Sequence, residues 1–124
     1  MQRDAQKEKQ AQDWIVRILG PDAFPPGELY EDVLRDGIVL CQLMDRLAPG
    51  SVPIINPYGG EYKMLENIEN FRAVLRIYGV ADDDIFEASD LVDDNDLVKV
   101  TETIFALDKQ INFHPEWKGP RIQK

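Results

Sequence analysis

Apolar residues recur every three or four positions in four long stretches of the chain, which is the period expected for amphipathic helices. Residues that stop a helix follow these stretches, such as Gly20 with Pro21 after the first and Gly79 after the third. Asp36 is the predicted N-cap of the second helix, and the aspartates of residues 93–96 provide that of the fourth. The pattern predicts long helices at residues 11–19, 38–47, 64–78 and 97–111.

The connections between these helices contain shorter helical patterns and many helix breakers. Residues 29–34 predict a short amphipathic helix, and Asp84 is the predicted cap of another that passes through Phe86 and Ala88. Prolines and glycines make residues 51–60 an irregular loop. The predicted fold class is all-α, with four long helices plus one or two short helices. The second long helix is apolar on nearly all sides in its first half, so we expect it to be central and buried.

The composition changes near the C-terminal end of the fourth helical pattern. We expect a domain of residues 1–111, followed by an irregular C-terminal tail of residues 112–124 that contains two prolines and a glycine. The tail would dock, if at all, through Phe113 and Trp117. A chain of 124 residues fits one domain with its own core and is too short for a two-domain enzyme.

The charge of the chain restricts its partners. It has 14 basic and 23 acidic side chains, a formal net charge of −9 and a pI near 4.5. This balance opposes binding to nucleic acid or to anionic lipid, and no apolar run approaches the roughly 18 residues of a bilayer span. Residues 81–100 hold eight acidic side chains and one basic one. Both ends of the chain and residues 63–76 are close to neutral and can still face an acidic partner.

The sequence has no recognisable set of catalytic or metal-binding side chains. Cys41 is the single cysteine, which excludes an internal disulfide, and its apolar neighbours predict an inert core thiol in a reducing compartment. His114 is the single histidine and is expected on the surface. A calcium loop that began at Asp93 would need glycine and glutamate where Val98 and Ile104 stand. We therefore predict a non-enzymatic, cytoplasmic protein with no cofactor and no metal.

Several residues have contexts that indicate a structural role. Trp14 supplies a large apolar body to the core, and Gly37 allows a close approach at the start of the second helix. Asn67 lies in a mostly apolar helix and is predicted to hydrogen-bond the backbone of a neighbouring loop, because a buried amide without partners is costly. The space between the helices is expected to be filled by Leu40, Leu43, Phe71 and Ile104.

The order and spacing of these segments resemble a calponin homology domain over residues 11–107, which is most of the chain. Four separated motifs carry the resemblance, namely Ala11-Gln12-Asp13-Trp14-Ile15, Leu34-Arg35-Asp36-Gly37-Ile38-Val39-Leu40-Cys41-Gln42-Leu43, Lys63-Met64-Leu65-Glu66-Asn67-Ile68 with Phe71, and Asp90-Leu91 with residues 100–107. Within the family the sequence looks most like the single-domain branch of calponin, transgelin, myophilin and muscle protein 20. The segments 30–34, 103–107 and 118–120 point to this branch.

The resemblance implies an actin-cytoskeleton interaction module that works without catalysis in contractile cells. Its implied partner is filamentous actin, bound directly or with additional C-terminal sequence. Tandem actin-binding members make one contact just before the first-helix tryptophan, and residues 7–13 do not reproduce their pattern. Related proteins carry C-terminal calponin-like repeats, so we interpret the chain as an isolated domain of a longer protein. We expect a monomer in the cytoplasm, at the cytoskeleton.

The least acidic surfaces are the candidates for direct contact with actin. Their cationic side chains are Lys7, Lys9, Lys63, Arg72 and Arg76. The alternative interpretation is that they are solubilising charges, paired along the helix with carboxylates such as Glu66 and Glu69.

A second hypothesis is a signalling scaffold that binds a kinase or another regulatory protein, with little or no direct actin binding. The acidic residues 82–96 would then face a basic peptide or a basic partner domain, whereas the alternative is a solvated face. Microtubule binding is disfavoured, because tubulin is acidic and the chain lacks a strongly basic face.

Overall fold

Six α-helices and three short 3-10 turns make up the regular structure of residues 2–123, the part of the chain that the computed structural model describes. The α-helices are α1 (Ala5–Leu19), α2 (Tyr30–Leu34), α3 (Ile38–Leu47), α4 (Gly60–Tyr78), α5 (Ala88–Val92) and α6 (Leu97–Gln110). The 3-10 turns are Pro21–Ala23, Asp82–Asp84 and Ile111–Phe113. The prediction of an all-α fold with four long and two short helices is confirmed.

α1 begins six residues before the first apolar residue of its buried face. The Asp4 carboxylate accepts hydrogen bonds from the backbone N–H groups of Gln6 and Lys7, at 3.0 and 3.1 Å, and so caps the helix. Arg3 then joins α1 to α2, because its guanidinium group reaches Glu8 at 2.7 Å and Glu31 at 2.9 Å. The same guanidinium group lowers the pKa of Glu31. These polar turns have no apolar period, which explains why the predicted helix starts later.

The N-cap of α3 is Gly37 rather than Asp36, which corrects the prediction. Gly37 has the left-handed φ of 77°, and the Asp36 carboxylate accepts from the Ile38 N–H at 3.0 Å from one residue outside the cap. A Cβ atom on Gly37 would lie 2.8 Å from the Asn67 Cβ. The close approach predicted for Gly37 is therefore confirmed, and it packs the start of α3 against α4.

Asp84 does not cap a helix, so that prediction is wrong. It ends the 3-10 turn, and the buried residues Ile85 and Phe86 follow before α5. Glu87 caps α5 through a reciprocal capping box with Asp90, in which the Glu87 N–H donates to Asp90 Oδ2 at 2.8 Å. Burial of the two apolar side chains sets the path of this segment, whereas its local sequence favours a helix.

α3 lies at the centre of the core, as predicted, and packs against α1, α2 and α4. Asp96 caps α6 by accepting from the Lys99 N–H at 3.0 Å, which confirms the predicted start of that helix. No helix among residues 2–123 is long and apolar enough to span a membrane. The largest fully buried side chains include Trp14, Leu34, Leu40, Leu43, Phe71, Phe86 and Leu91.

The C-terminal segment docks onto α1 and α6 by a route that the sequence did not indicate. Phe113 is 75% exposed, so the prediction that it anchors the segment is wrong. Trp117 is half-buried and packs against the core, but the fully seated residue of the segment is Ile122. One isoleucine among polar residues has no periodicity, so the pattern gives no signal for its burial.

Candidate interaction surface

The two side chains that could have been reactive, Cys41 and His114, are packed into the fold. The Cys41 thiol is buried and donates to the Asn67 carbonyl oxygen at 3.1 Å, and burial raises its pKa to about 12. His114 is half-buried instead of exposed, with its ring stacked on Tyr78 at a centroid distance of 3.7 Å. Within the described residues, no group of three or more histidine, cysteine, aspartate or glutamate side chains is placed to hold a metal ion.

The structural motif residues lie in the core or at helix ends. The Asn67 side chain donates to the backbone oxygens of Asp36 and Asn56, at 3.0 and 2.9 Å, and accepts from the Asn56 N–H at 2.7 Å. The predicted bonds between this amide and a loop backbone are therefore present. Trp14, Leu40, Phe71, Leu91 and Ile104 are fully buried, and Asp90 belongs to the capping box of α5.

The acidic residues 82–96 are used largely to fasten the fold. Asp82 pairs with Arg76 at 2.6 Å, and Asp94 pairs with Arg35 at the same distance. Asp90 and Asp96 cap helices. The sequence predicts caps among residues 93–96 and leaves a docking face or a solvated face open for the stretch. It does not indicate these ion pairs, because each joins residues of different elements.

Arg72 has an intramolecular role rather than an open surface. Its side chain is 12% exposed. The Nε atom donates to the Phe86 carbonyl oxygen at 2.7 Å, and the guanidinium group also reaches Glu69 at 2.5 Å and Glu87 at 3.2 Å. Arg72 thus holds the segment before α5 against α4, and little of its charge remains for a partner.

Three of the remaining candidate cations also have a carboxylate neighbour. Arg76 is engaged by Asp82, as described above, and the Nζ atom of Lys9 lies 3.1 Å from Asp13. The Nζ atom of Lys63 lies 3.9 Å from Glu66, which is the spacing that the solubilising-charge alternative anticipated. These pairs reduce the positive field that Lys9, Lys63 and Arg76 present to solvent.

Lys7 is the one candidate without a salt bridge in the part of the chain that the structure describes. It is exposed on α1, and its Nζ atom lies 5.9 Å from the centroid of the Phe105 ring of α6. Phe105 also lines a shallow groove with Lys99 and Lys109 of the same helix. We call Lys7, Lys99, Phe105 and Lys109 the lysine face.

The α6 residues of the lysine face are not among the candidates predicted from the sequence. Lys109 is exposed, whereas the Lys99 ammonium group donates to the Asp83 carbonyl oxygen. The signal was present in the spacing, because residues 99, 102, 106 and 109 follow a helical period on the side of α6 away from Val100, Ile104 and Leu107. Glu102 and Asp84 line the same groove and are its acidic members.

Comparison with known proteins places this fold in a family. The model of the calponin homology (CH) domain family matches residues 5–112. Muscle-specific protein 20 of Drosophila melanogaster is 47% identical over 118 residues, which are 95% of this chain and 64% of that protein. Myophilin of Echinococcus granulosus is 40% identical over 119 residues, covering 95% of this chain and 62% of that protein. Calponin-2 of Bos taurus is 39% identical over 104 residues, which are 84% of this chain and 33% of that protein. The chain thus spans less than two thirds of the length of these relatives.

Solved structures agree with the sequence comparisons. The calponin-homology domain of Rng2 from Schizosaccharomyces pombe matches with a TM-score of 0.78 and 26% identity, covering 95% of this chain and 74% of that chain. The calponin-homology domain of an IQGAP protein from the same organism matches with a TM-score of 0.77 and 26% identity, over 95% and 73% of the two chains. The chain belongs to the calponin homology domain family.

Proposed function

We propose that the chain is an actin-cytoskeleton module that contacts filaments through the lysine face. Its calponin-family relatives are structural, non-enzymatic proteins, and the chain is not an enzyme. One observation supports this choice of surface. Lys7 makes no ion pair with any residue among 2–123, and its ammonium group lies over the Phe105 ring.

Electrostatics explains why such a face is needed. Filamentous actin presents an acidic surface, and the chain has a net charge of −9, so the two repel each other at long range. The screening length at physiological salt is about 8 Å, which lets a local cationic surface act at contact distance. Lys7 and Lys109 provide the exposed ammonium groups of this face, and of the acidic residues beside them Asp4 caps α1 and Glu8 pairs with Arg3.

The Phe105 ring restricts the position of the Lys7 side chain on this surface. Phe105 is half-buried and packed against the core, so its position is fixed by α6. A cation over an aromatic ring at an exposed site gains about 0.5–1 kcal/mol, which favours one position of the long Lys7 side chain. A partly ordered lysine loses less conformational entropy when a carboxylate of a partner binds it.

Co-sedimentation with filamentous actin at several salt concentrations tests the proposal. The double substitution Lys7→Glu with Lys109→Glu should weaken binding about tenfold or more, because it reverses two contacts of the face. The matched control is Lys63→Glu with Lys118→Glu, which changes the net charge equally at two other positions and should bind within about twofold of the unsubstituted chain.

Two results would overturn the assignment. Equal losses in both double variants would mean that net charge, and not the lysine face, governs binding. Absence of pelleting by the unsubstituted chain at low salt would remove direct filament binding by this domain.

The scaffold alternative receives no support from the acidic segment. Asp82, Glu87 and Asp94 are held by arginines of α4 or by Arg35, and Asp90 and Asp96 cap helices. A basic partner would have to compete with these intramolecular contacts for the same carboxylates.

A further inference from the structure

The seam between α1 and α6 is covered by an extended piece of the chain itself. Pro120, Arg121 and Ile122 run along this seam, and we call these three residues the strap. Ile122 is 8% exposed, so its side chain is seated between the helices. The strap shares no residue with the lysine face.

Side chains of the two helices bind the main chain of the strap at three consecutive residues. Trp14 Nε1 donates to the Pro120 carbonyl oxygen at 2.8 Å, and Arg17 Nη2 donates to the Arg121 carbonyl oxygen at 3.0 Å. The Ile122 N–H donates to Asp108 Oδ1 at 3.1 Å. Extended peptides are commonly recognised in this way, with main-chain hydrogen bonds for affinity and pockets for individual side chains.

The side chains of Arg121 and Ile122 also make specific contacts with the groove. The Arg121 Nε atom donates to Asp108 Oδ1 at 2.8 Å, and its Nη2 atom donates to the Asp108 carbonyl oxygen at 2.6 Å. Ile122 fills the apolar site beside this pair. The groove therefore recognises an arginine followed by an aliphatic residue.

Two buried polar groups of the helices depend on the strap. Asp108 is 5% exposed, and its carboxylate accepts hydrogen bonds from Arg121 and Ile122 alone among the described residues. Trp14 is fully buried, and its indole N–H has Pro120 as its partner. The strap therefore both covers a carboxylate and an indole N–H and supplies their hydrogen-bond partners, so a segment that replaced it would have to offer the same groups.

We propose that this seam is a recognition groove for an extended Pro-Arg-aliphatic segment of a partner protein, and that the strap is its intramolecular competitor. The strap is joined to α6 through residues 111–119, so it binds the groove within the same molecule and competes with any partner segment at a high effective concentration. A partner segment therefore gains access only when the strap is lifted. This proposal does not depend on actin binding.

Fluorescence anisotropy with a labelled peptide of residues 118–124 tests the proposal. The strap variant is the whole chain with Arg121→Glu and Ile122→Asp, which repels Asp108 and places a charge in the apolar site. The matched control carries Lys118→Glu and Gln123→Asp, which make the same total charge change at exposed positions. We expect the strap variant to bind the peptide at least about tenfold more tightly than the unsubstituted chain, and the control to resemble the unsubstituted chain.

Additional variants and measurements test the groove directly. Asp108→Asn in the strap variant should remove most of the peptide affinity. If the strap variant loses its helical circular dichroism, the unsubstituted chain is titrated with millimolar peptide that carries a spin label, and the Trp14 indole resonance is followed by NMR. Saturable broadening of this resonance supports the groove, and an unchanged resonance overturns it. Equal affinity of the strap variant and the control also overturns the proposal. A dimer of the unsubstituted chain with exchanged straps, detected by light scattering, would assign the groove to a second copy instead.

Discussion

Asn67 joins three parts of the molecule through one side chain. It sits on α4, donates to the backbone before α3, and exchanges hydrogen bonds with the backbone of Asn56 in the loop between these helices. The loop has prolines and glycines but no regular ladder, so the backbone groups of Asn56 rely on this amide. One polar residue in an apolar helix therefore fixes the loop at Asn56.

Replacing Asn67 with alanine should lower the free energy of unfolding by about 3 kcal/mol, because three buried hydrogen bonds are lost and their backbone partners stay unpaired. Urea denaturation followed by circular dichroism measures the change. Asn70→Ala is the matched control on the same helix, since Asn70 makes one long bond of 3.3 Å to the Ile54 oxygen, and a change within about 0.5 kcal/mol is expected. Equal losses for both variants would contradict this role of Asn67.

The sequence indicates Lys7 as a candidate cation, but it contains nothing that separates Lys7 from the other four. The i,i+3 pairs Lys63 with Glu66 and Arg72 with Glu69 follow from helical spacing, so the sequence anticipated them. The pairs of Arg72 with Glu87 and Arg76 with Asp82 join different elements. No local pattern reports such contacts, and they decide which cations remain open to a partner.

At the scale of elements, the long helices were predictable because each has an apolar face with a regular period. The wrong predictions concern segments in which only one or two apolar residues are buried. Ile85 and Phe86 lie in a segment whose local sequence favours a helix, and their burial in the core draws the chain out of the helical path before α5. The strap is the extreme case, since Ile122 is its one buried apolar residue and its hydrogen bonds go to Trp14, Arg17 and Asp108, which lie far away in the sequence.

The cap of α6 offers a test at this scale. Asp96→Ala removes the bond to the Lys99 N–H and should lower the free energy of unfolding by about 1 kcal/mol. Asp93→Ala is the control, because Asp93 is an exposed aspartate just after α5. Thermal denaturation should show a lower midpoint for Asp96→Ala and a nearly unchanged one for Asp93→Ala. A midpoint unaffected by Asp96→Ala would show that packing alone sets the start of this helix.

At the scale of the whole molecule, Cys41 reports on global opening. Its thiol is fully buried at the centre of the core, and burial raises its pKa to about 12, so the reactive thiolate is suppressed in the folded chain. Labelling with Ellman's reagent at pH 8 should be at least about a thousandfold slower for the native chain than for the chain in denaturant. Comparable rates would mean that the core opens locally around α3.

The indole N–H groups of both tryptophans donate a hydrogen bond to the same carbonyl oxygen. Trp14 Nε1 and Trp117 Nε1 both donate to the Pro120 carbonyl oxygen, at 2.8 and 3.0 Å, although only one of the two rings is fully buried. The ultraviolet emission of the protein therefore originates around a single point of its surface. Movement there changes the surroundings of both indoles at once, so the chain has an optical probe at the strap without any added dye.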